Sequence, residues 1–394
     1  MAKLNHSVYS DPTLEAMNKA MELKQQLEKP RNYLGASEIG ADCERYLFYS
    51  FRNASKRIIP AKGIKAIEDG YLQEDVTIAR LRALPFIELV NTDGTFDKDD
   101  KPNQIGFEML LGHFKGHCDG MIKGLLQAPK TWHVFEHKAN DKKFNELKKN
   151  IGIHGEKEAL YNTDQVYYAQ AQIYMHAFEV ERHYLVACLP GGRDHVSCRT
   201  EYKRAYAERM IEKAKNIIFE NWTIPAKISD KREFFKCSWC DMKGICHDGD
   251  FPDVHCKTCR YRECIDGGKS LCLNTETVIE DSLLNVGCKN HIFNPALMPG
   301  CTLVEHQSDS CLYHIPDKDF YFSNTNIGGF PDVKDKLDAV YTSQDLKNQI
   351  KNINNLGEVV SKMQKTFRGE VDPKGEVVKT WDKLSNNHSR LVDL

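Results

Sequence analysis

The sequence predicts a mixed α/β protein with cysteine-rich, metal-binding additions. Segments with helical apolar spacing alternate with short strand-type runs, in the order helix, three strands, helix, strand. Fourteen cysteines, most of them between Cys237 and Cys311, follow an N-terminus (MAKLNHSVYSDPTLEAM) without the apolar core of a signal peptide. Without a secretory leader, such cysteines read as metal ligands rather than disulfides. The chain of 394 residues is long enough for two domains or one large domain with additions. No apolar run approaches the roughly 20 residues that span a bilayer, so a cytoplasmic location and no membrane partner are expected. The net charge of -2 gives no global basic signal, and any nucleic-acid contact must come from a local patch.

In chain order, residues 12–28 have helical periodicity and strong helix formers, and Pro30 closes the segment. Ser37 is the expected N-cap of a helix running to about Arg52 that carries Cys43, Arg45, Tyr46, Tyr49 and Arg52. Residues 64–84 predict a helix with Ile67, Leu72, Val76, Ile78 and Leu81 apolar and Glu74 inside it. Residues 86–90 (FIELV) predict a strand, and 91–103 a polar loop. HFKGHCDGMI reads as the first of two core strands, 124–130 as a loop, and TWHVFEH as the second. Period-2 alternation puts His133, Phe135 and His137 on one face, and Trp132, Val134, Glu136 and Lys138 on the other. A basic, polar stretch follows. Residues 165–178 predict a helix, 183–189 a buried strand, and 202–219 a long helix with Tyr206, Met210, Ala214 and Ile217 along one face. Beyond 301, CTLVEHQ, DFYFSNT and LDAVYT read as strands, 344–366 as a helix, and the charged tail from Gly369 as mobile.

Asp119, near the end of the first core strand, can meet Glu136 on its neighbour. Two converging carboxylates suit a hard divalent cation such as Mg²⁺ or Mn²⁺. Lys138, two residues on and on the same face, can hold a water or meet developing phosphate charge.

These residues resemble the D…(D/E)-x-K core of the PD-(D/E)XK nuclease superfamily, whose fold is an αβββαβ, restriction-endonuclease-like core. Gln170 and Tyr174, one turn apart on a helix, resemble the Q-x-x-x-Y motif of its RecB-type branch, where the pair flanks the metal and contacts the scissile strand. Gly70 to Glu74 resembles that branch's G-x-x-x-E motif, although Tyr71 stands where the family often has histidine. Glu74 is then an extra acid for the metal's water shell. Cys43 with Cys237, Cys240 and Cys246 looks like the iron–sulphur staple of AddB-type and CRISPR-associated RecB-family exonucleases. The resemblance implies a [4Fe–4S] cluster joining the first helix to the end of the nuclease domain. Four thiolates could hold Zn²⁺ instead. Cys256, Cys259, Cys272 and Cys288 have zinc-ribbon spacing, with His291 a substitute ligand and Cys264 a spare. This module resembles a Cys-rich appendage of phage-encoded relatives.

The expected organisation is an N-terminal helix (1–30), a nuclease domain with its staple (31–250), a zinc module (251–300) and a C-terminal region without readable chemistry (301–394). The implied activity is that of an exonuclease, metal-dependent hydrolysis of DNA phosphodiester bonds for phage DNA recombination, repair or degradation, with single-stranded DNA or DNA ends the expected partner and Asp119, Glu136 and the His137 carbonyl holding the ion. Arg45, Arg52, Lys142 and Lys143 are candidate phosphate contacts, with Lys148 and Lys149 beside them. A non-catalytic DNA-binding accessory to a recombination partner is the competing class, and an RNA-directed nuclease a third. Oligomeric state is not readable.

Overall fold

The computed structural model describes residues 11–97, 99–326 and 337–357. The expectations for the first ten residues, the end of the 344–366 helix and the charged tail lie outside them.

Seven helices position the site. α1 (Pro12–Leu27) starts at Asp11, whose carboxylate accepts from the Thr13 and Leu14 N–H groups. α2 (Glu44–Phe51) begins later than the sequence predicts, with Cys43 at its N-cap and no side-chain cap. Ser37 instead precedes a turn closed by Ala41 N–H to the Glu38 carbonyl. The chain stays a turn there because Gly40 abuts the helix at 165; a Cβ on it would lie 2.5 Å from Val166 Cα. α3 (Ala61–Arg82) buries Thr77 and Ile78, whereas the apolar Ile67 and Leu72 are 46% and 62% exposed. The basic stretch after Lys138 is itself helical, because Asn140 caps it and Phe144 and Leu147 give it a buried side. It forms α4 (Asp141–His154) and leads into α5 (Glu156–Thr163). α6 (Gln165–Ala177), capped by Asp164, and α7 (Arg204–Phe219) complete the set.

The fold is mixed α/β. A five-stranded sheet has the order His195–Glu201, Arg182–Cys188, His133–Ala139, Gly120–Lys123, Glu88–Val90. His133–Ala139 lies at its centre, parallel to Arg182–Cys188 and antiparallel to Gly120–Lys123. The His195–Glu201 edge strand is half polar, which hid it from a reading by apolar runs. α3 covers one face through Ile78 against Phe135, Tyr184 and Val186. α6 and α7 cover the other, where Ile173, Tyr174, Ala214 and Ile217 pack with Val134 and Leu185.

The predicted strand HFKGHCDGMI is two strands. Phe114–His117 pairs with Gly106–Met109 and with Leu34–Gly35, while Gly120–Lys123 joins the central sheet. The break leaves Asp119 at the junction. The loop expected at 91–103 is a hairpin, Thr92–Phe96 against Pro102–Gln104. Gly116 is required where the small sheet meets α6: a Cβ would lie 2.6 Å from Tyr174 Cε1 and 2.8 Å from Ala36 Cβ and Phe107 Cε1. Gly116→Ala is therefore expected to cost about 1–3 kcal/mol of stability, readable as a lowered urea midpoint.

A second core ties residues after 250 together. Phe251, Ile292, Phe293 and Met298 pack with Tyr313, Phe322, Leu346 and Ile353. The expected boundary at 300 thus runs through one hydrophobic cluster. The sheet above it is Thr302–His306, Ser310–Ile315, Phe320–Thr325, Ala339–Thr342, its last pair parallel. Residues 345–350 are a short π-type turn.

Candidate active site

Alternation along His133–Ala139 points Glu136 and Lys138 to the α6 side, and the break at 118–119 brings Asp119 beside them. Lys138 Nζ lies 2.6 Å from Glu136 Oε2 and 3.9 Å from Asp119 Oδ2. The His137 main-chain N–H donates to Asp119 Oδ2 at 2.7 Å. Gln170 Nε2 donates to Glu136 Oε2 at 3.3 Å and to the Tyr174 hydroxyl at 3.1 Å, and that hydroxyl donates to the His117 carbonyl at 2.7 Å. Gln170 and Tyr174 are both buried, so their polar groups act inward and position the acid. The Lys138 ammonium also lies 5.7 Å from the Tyr167 ring centre.

The electrostatics are those of a crowded acidic pocket holding one cation. Glu136 is 2% exposed, and burial together with Asp119 pushes its pKa up to about 8. Glu74 on α3 is likewise pushed up to about 8 by burial and by Asp119. Burial also raises Asp119, against the pull of Lys138 and the His137 N–H. Burial opposes the charge on Lys138, but Glu136 and Asp119 beside it hold its pKa above the ordinary lysine value. Glu136 Oε1 is buried without a hydrogen-bond partner. An unsatisfied carboxylate oxygen beside two further acids is the donor set a hard divalent ion takes.

Glu74, Asp119, Lys138, Gln170 and Tyr174 line a cavity of about 420 Å³, with Glu136 buried behind them, and Arg31, Tyr33, Tyr71, Gln104, Lys115 and His117 line it as well. Sequence reading did not find that rim. The parallel pairing of Leu34–Gly35 with Phe114–His117 creates it, a long-range contact with no local signature. Lys115 pairs with Glu108 at 2.6 Å and lies 5.9 Å from the Tyr33 ring centre.

Of the residues proposed for phosphate contact, Arg52 is corrected. It is 1% exposed, and its guanidinium donates to the carbonyls of Phe48, Ile217 and Glu220 and to Asn221. Arg45 donates to the Pro225 carbonyl at 2.8 Å and faces Cys246. Lys143 pairs with Glu146 at 3.0 Å and Asp164 at 3.2 Å, and Lys142 is exposed. None of Arg45, Lys142 and Lys143 lines the cavity.

The eight cysteines expected to bind metal fall into two neighbourhoods. Cys43, at the start of α2, raises the thiol pKa values of Cys237, Cys240 and Cys246 after burial does. Cys256 faces Cys288 and Cys272, and Cys259 faces Cys288 and Cys256. His291 points elsewhere: its Nε2 lies 3.2 Å from the Thr258 hydroxyl, and its ring packs edge-on to Phe293. Cys264 lies 4.0 Å from the Ile218 carbonyl. Arg52, Lys257 and Arg262 are buried around the Phe51 ring, their charged groups 5.6, 5.4 and 5.1 Å from its centre. Burial lowers the pKa of each, and Cys264 opposes that shift in all three. Cys256 opposes it for Arg262 as well.

No protein-family model matches the sequence, and no curated protein matches it. Among solved structures, the chain is similar to SSO0001, at 17% identity and a TM-score of 0.33, over 60% of this chain and 96% of that one. It is also similar to an alkaline exonuclease (LHK-Exo) from Laribacter hongkongensis, at 11% identity and a TM-score of 0.33, over 50% of this chain and 90% of that one. The same exonuclease in complex with dAMP gives 14% identity and a TM-score of 0.31, over 52% and 90%. Likeness at that level says nothing about chemistry, which rests on the side chains above. Among the described residues, no helix is long and apolar enough to cross a membrane.

Tyr174 offers a direct check on how the acid is held. Tyr174→Phe leaves the His117 carbonyl without its donor and frees Gln170. It is expected to cost about 1–2 kcal/mol in denaturant unfolding.

Proposed function

We propose that this chain is a divalent-metal-dependent nuclease of the PD-(D/E)XK, RecB-like type that hydrolyses DNA phosphodiester bonds. The carrying observation is buried Glu136, with one unsatisfied oxygen, grouped with the half-buried Asp119 and Lys138. The central sheet between α3 and α6 agrees with a restriction-endonuclease-like αβββαβ core, extended by an edge strand. Asp119, Glu136 and the His137 carbonyl would hold Mg²⁺ or Mn²⁺, and Glu74 would serve its water shell. When bound, the ion polarises the scissile phosphate and makes its water a better nucleophile. Lys138 orients that water and offsets the charge that develops on phosphate. Gln170 and Tyr174 fix Glu136. Arg31 and Lys115 on the rim suit the nucleic-acid backbone, and Tyr33 and Tyr71 offer rings on which an unpaired base can stack.

The same proposal assigns Cys43, Cys237, Cys240 and Cys246 to a [4Fe–4S] cluster. Its support is that Cys43, at the N-cap of α2, lies within electrostatic reach of Cys237, Cys240 and Cys246 in the segment after α7, and a group held by all four would close nearly the whole domain. Cys256, Cys259, Cys272 and Cys288 are assigned to Zn²⁺. A metal–tetrathiolate group is net negative, and the buried cation Arg262, which interacts with Cys256, is a charge that such a group offsets. Iron, sulphide and zinc analysis of anaerobically purified protein tests both. A brown protein with iron and sulphide supports the cluster, and a colourless one containing zinc alone rejects it.

The activity test is end-labelled single- and double-stranded DNA, and RNA, incubated with and without Mg²⁺ or Mn²⁺, with products sized. Ion-dependent release of nucleotides or short fragments from DNA supports the proposal. Binding that needs no divalent ion and releases nothing would assign the chain to the accessory class, and cleavage confined to RNA would change the substrate.

A further inference from the structure

The opposite face of the central strand carries a second group of donors. His137, Cys188 and His195 each offer one ligand atom, and the three atoms lie within 4.8 Å of one another. Strand geometry makes this group. Cys188 pairs directly with His195 in the antiparallel ladder. It also pairs with Ala139 in the parallel ladder, two residues beyond His137, so the three side chains leave one face. α3 roofs that face: Thr77 Oγ1 lies 3.3 Å from His137 Nε2 and 3.5 Å from His195 Nε2. His137 and Cys188 are buried, while His195 is exposed and opens the group to solvent.

We infer that His137, Cys188 and His195 form a transition-metal site, best suited to Zn²⁺, between the central sheet and α3, behind the acidic pocket. The donor set decides the ion. Two imidazoles and a thiolate suit Zn²⁺ and not Mg²⁺, which takes oxygen ligands. Bonds of about 2.0–2.3 Å at a tetrahedral angle put such donors roughly 3.3–3.6 Å apart, which small side-chain rotations reach from the observed separation. Cys188 binds as the thiolate and releases its proton to solvent, and both histidines bind neutral. The Thr77 hydroxyl or a water completes the fourth position. The strand thus offers oxygen donors for a hard ion on one side and nitrogen and sulphur for a softer ion on the other. The two sides are linked: the main-chain N–H of His137 holds Asp119, and Thr77 lies one turn after Glu74 on α3.

The test compares full-length wild type with Cys188→Ser and His195→Ala after equilibration with Zn²⁺ and removal of free metal. The cysteine-rich neighbourhoods are the same in all three, so the difference isolates this site. Each variant is expected to hold about one Zn²⁺ fewer per chain than wild type. In Co²⁺-loaded samples, wild type minus Cys188→Ser should show a thiolate-to-cobalt charge-transfer band. Equal zinc content in wild type and His195→Ala, with no difference band, would overturn the inference. His195 is exposed, so its variant keeps the test decisive if replacement of buried Cys188 disturbs folding, which far-UV circular dichroism reports. No readout depends on cleavage, so loss of the nuclease proposal leaves this one standing.

Discussion

Lys138→Ala is expected to lower Mg²⁺- or Mn²⁺-dependent cleavage by about 10²–10³-fold, the usual effect of removing one preorganised stabiliser of transition-state charge. The lysine is the cation closest to the acids, 2.6 Å from Glu136 and 3.9 Å from Asp119. Its loss leaves Asp119, Glu136 and Glu74 crowded without it, so their pKa values should rise further. The optimum for cleavage should then move to higher pH, because the ion must displace more tightly held protons. Circular dichroism and a pH profile of single-turnover cleavage check this. Full activity with an unchanged profile would remove Lys138 from the chemistry.

The second large effect comes from Glu136→Gln, where stability and activity should move in opposite directions. With the folded-state pKa values of Glu136 and Glu74 raised to about 8, the folded chain keeps protons that the unfolded chain loses above its ordinary value near 4.5. The unfolded state binds fewer protons over that window, so stability falls as pH rises from about 4.5 to about 8. Mg²⁺ or Mn²⁺ should reverse the fall by binding the ionised acids. Glu136→Gln removes one titrating group and keeps the side-chain shape. At pH 8 without metal it should therefore melt higher than wild type, by roughly 2–4 °C for each kcal/mol gained. It should also lose metal-dependent cleavage and most of the stabilisation by the ion. Melting curves at pH 5 and pH 8, with and without Mn²⁺, decide the matter. A variant that melts lower than wild type at pH 8 without metal would contradict the assigned burial of charge.

The legible parts of this chain were those with local periodicity. α1, α3, α6 and α7 follow from apolar spacing, and the central strand from alternation that separates Glu136 and Lys138 from His137. The illegible parts depended on contacts distant in sequence. Ser37 has the residue type of an N-cap, yet the approach of Gly40 to Val166 keeps that segment a turn. Ile67 and Leu72 on α3 are apolar, yet among the described residues no element of the fold packs over them and they stay exposed. Arg52 has the charge of a phosphate contact, but Ile217 and Glu220 on and after α7 capture it. At the site, Asp119 with Glu136 and Lys138 was readable as a motif. The rim of Arg31, Tyr33 and Lys115 was not, because a two-residue parallel strand pairing builds it. The His137, Cys188 and His195 group also escaped, since its members lie on three strands and its exposed strand was not recognised.

The cluster shared by Phe251, Phe293, Tyr313 and Phe322 bears on how this protein can be shortened. Cutting after residue 300 would strip aromatic partners from Phe251 and Phe293 and leave a sticky surface beside the thiols at 256–288, inviting aggregation and stray oxidation. A fragment meant to report on the acidic pocket should therefore retain the chain through Leu356, and trimming should begin beyond it.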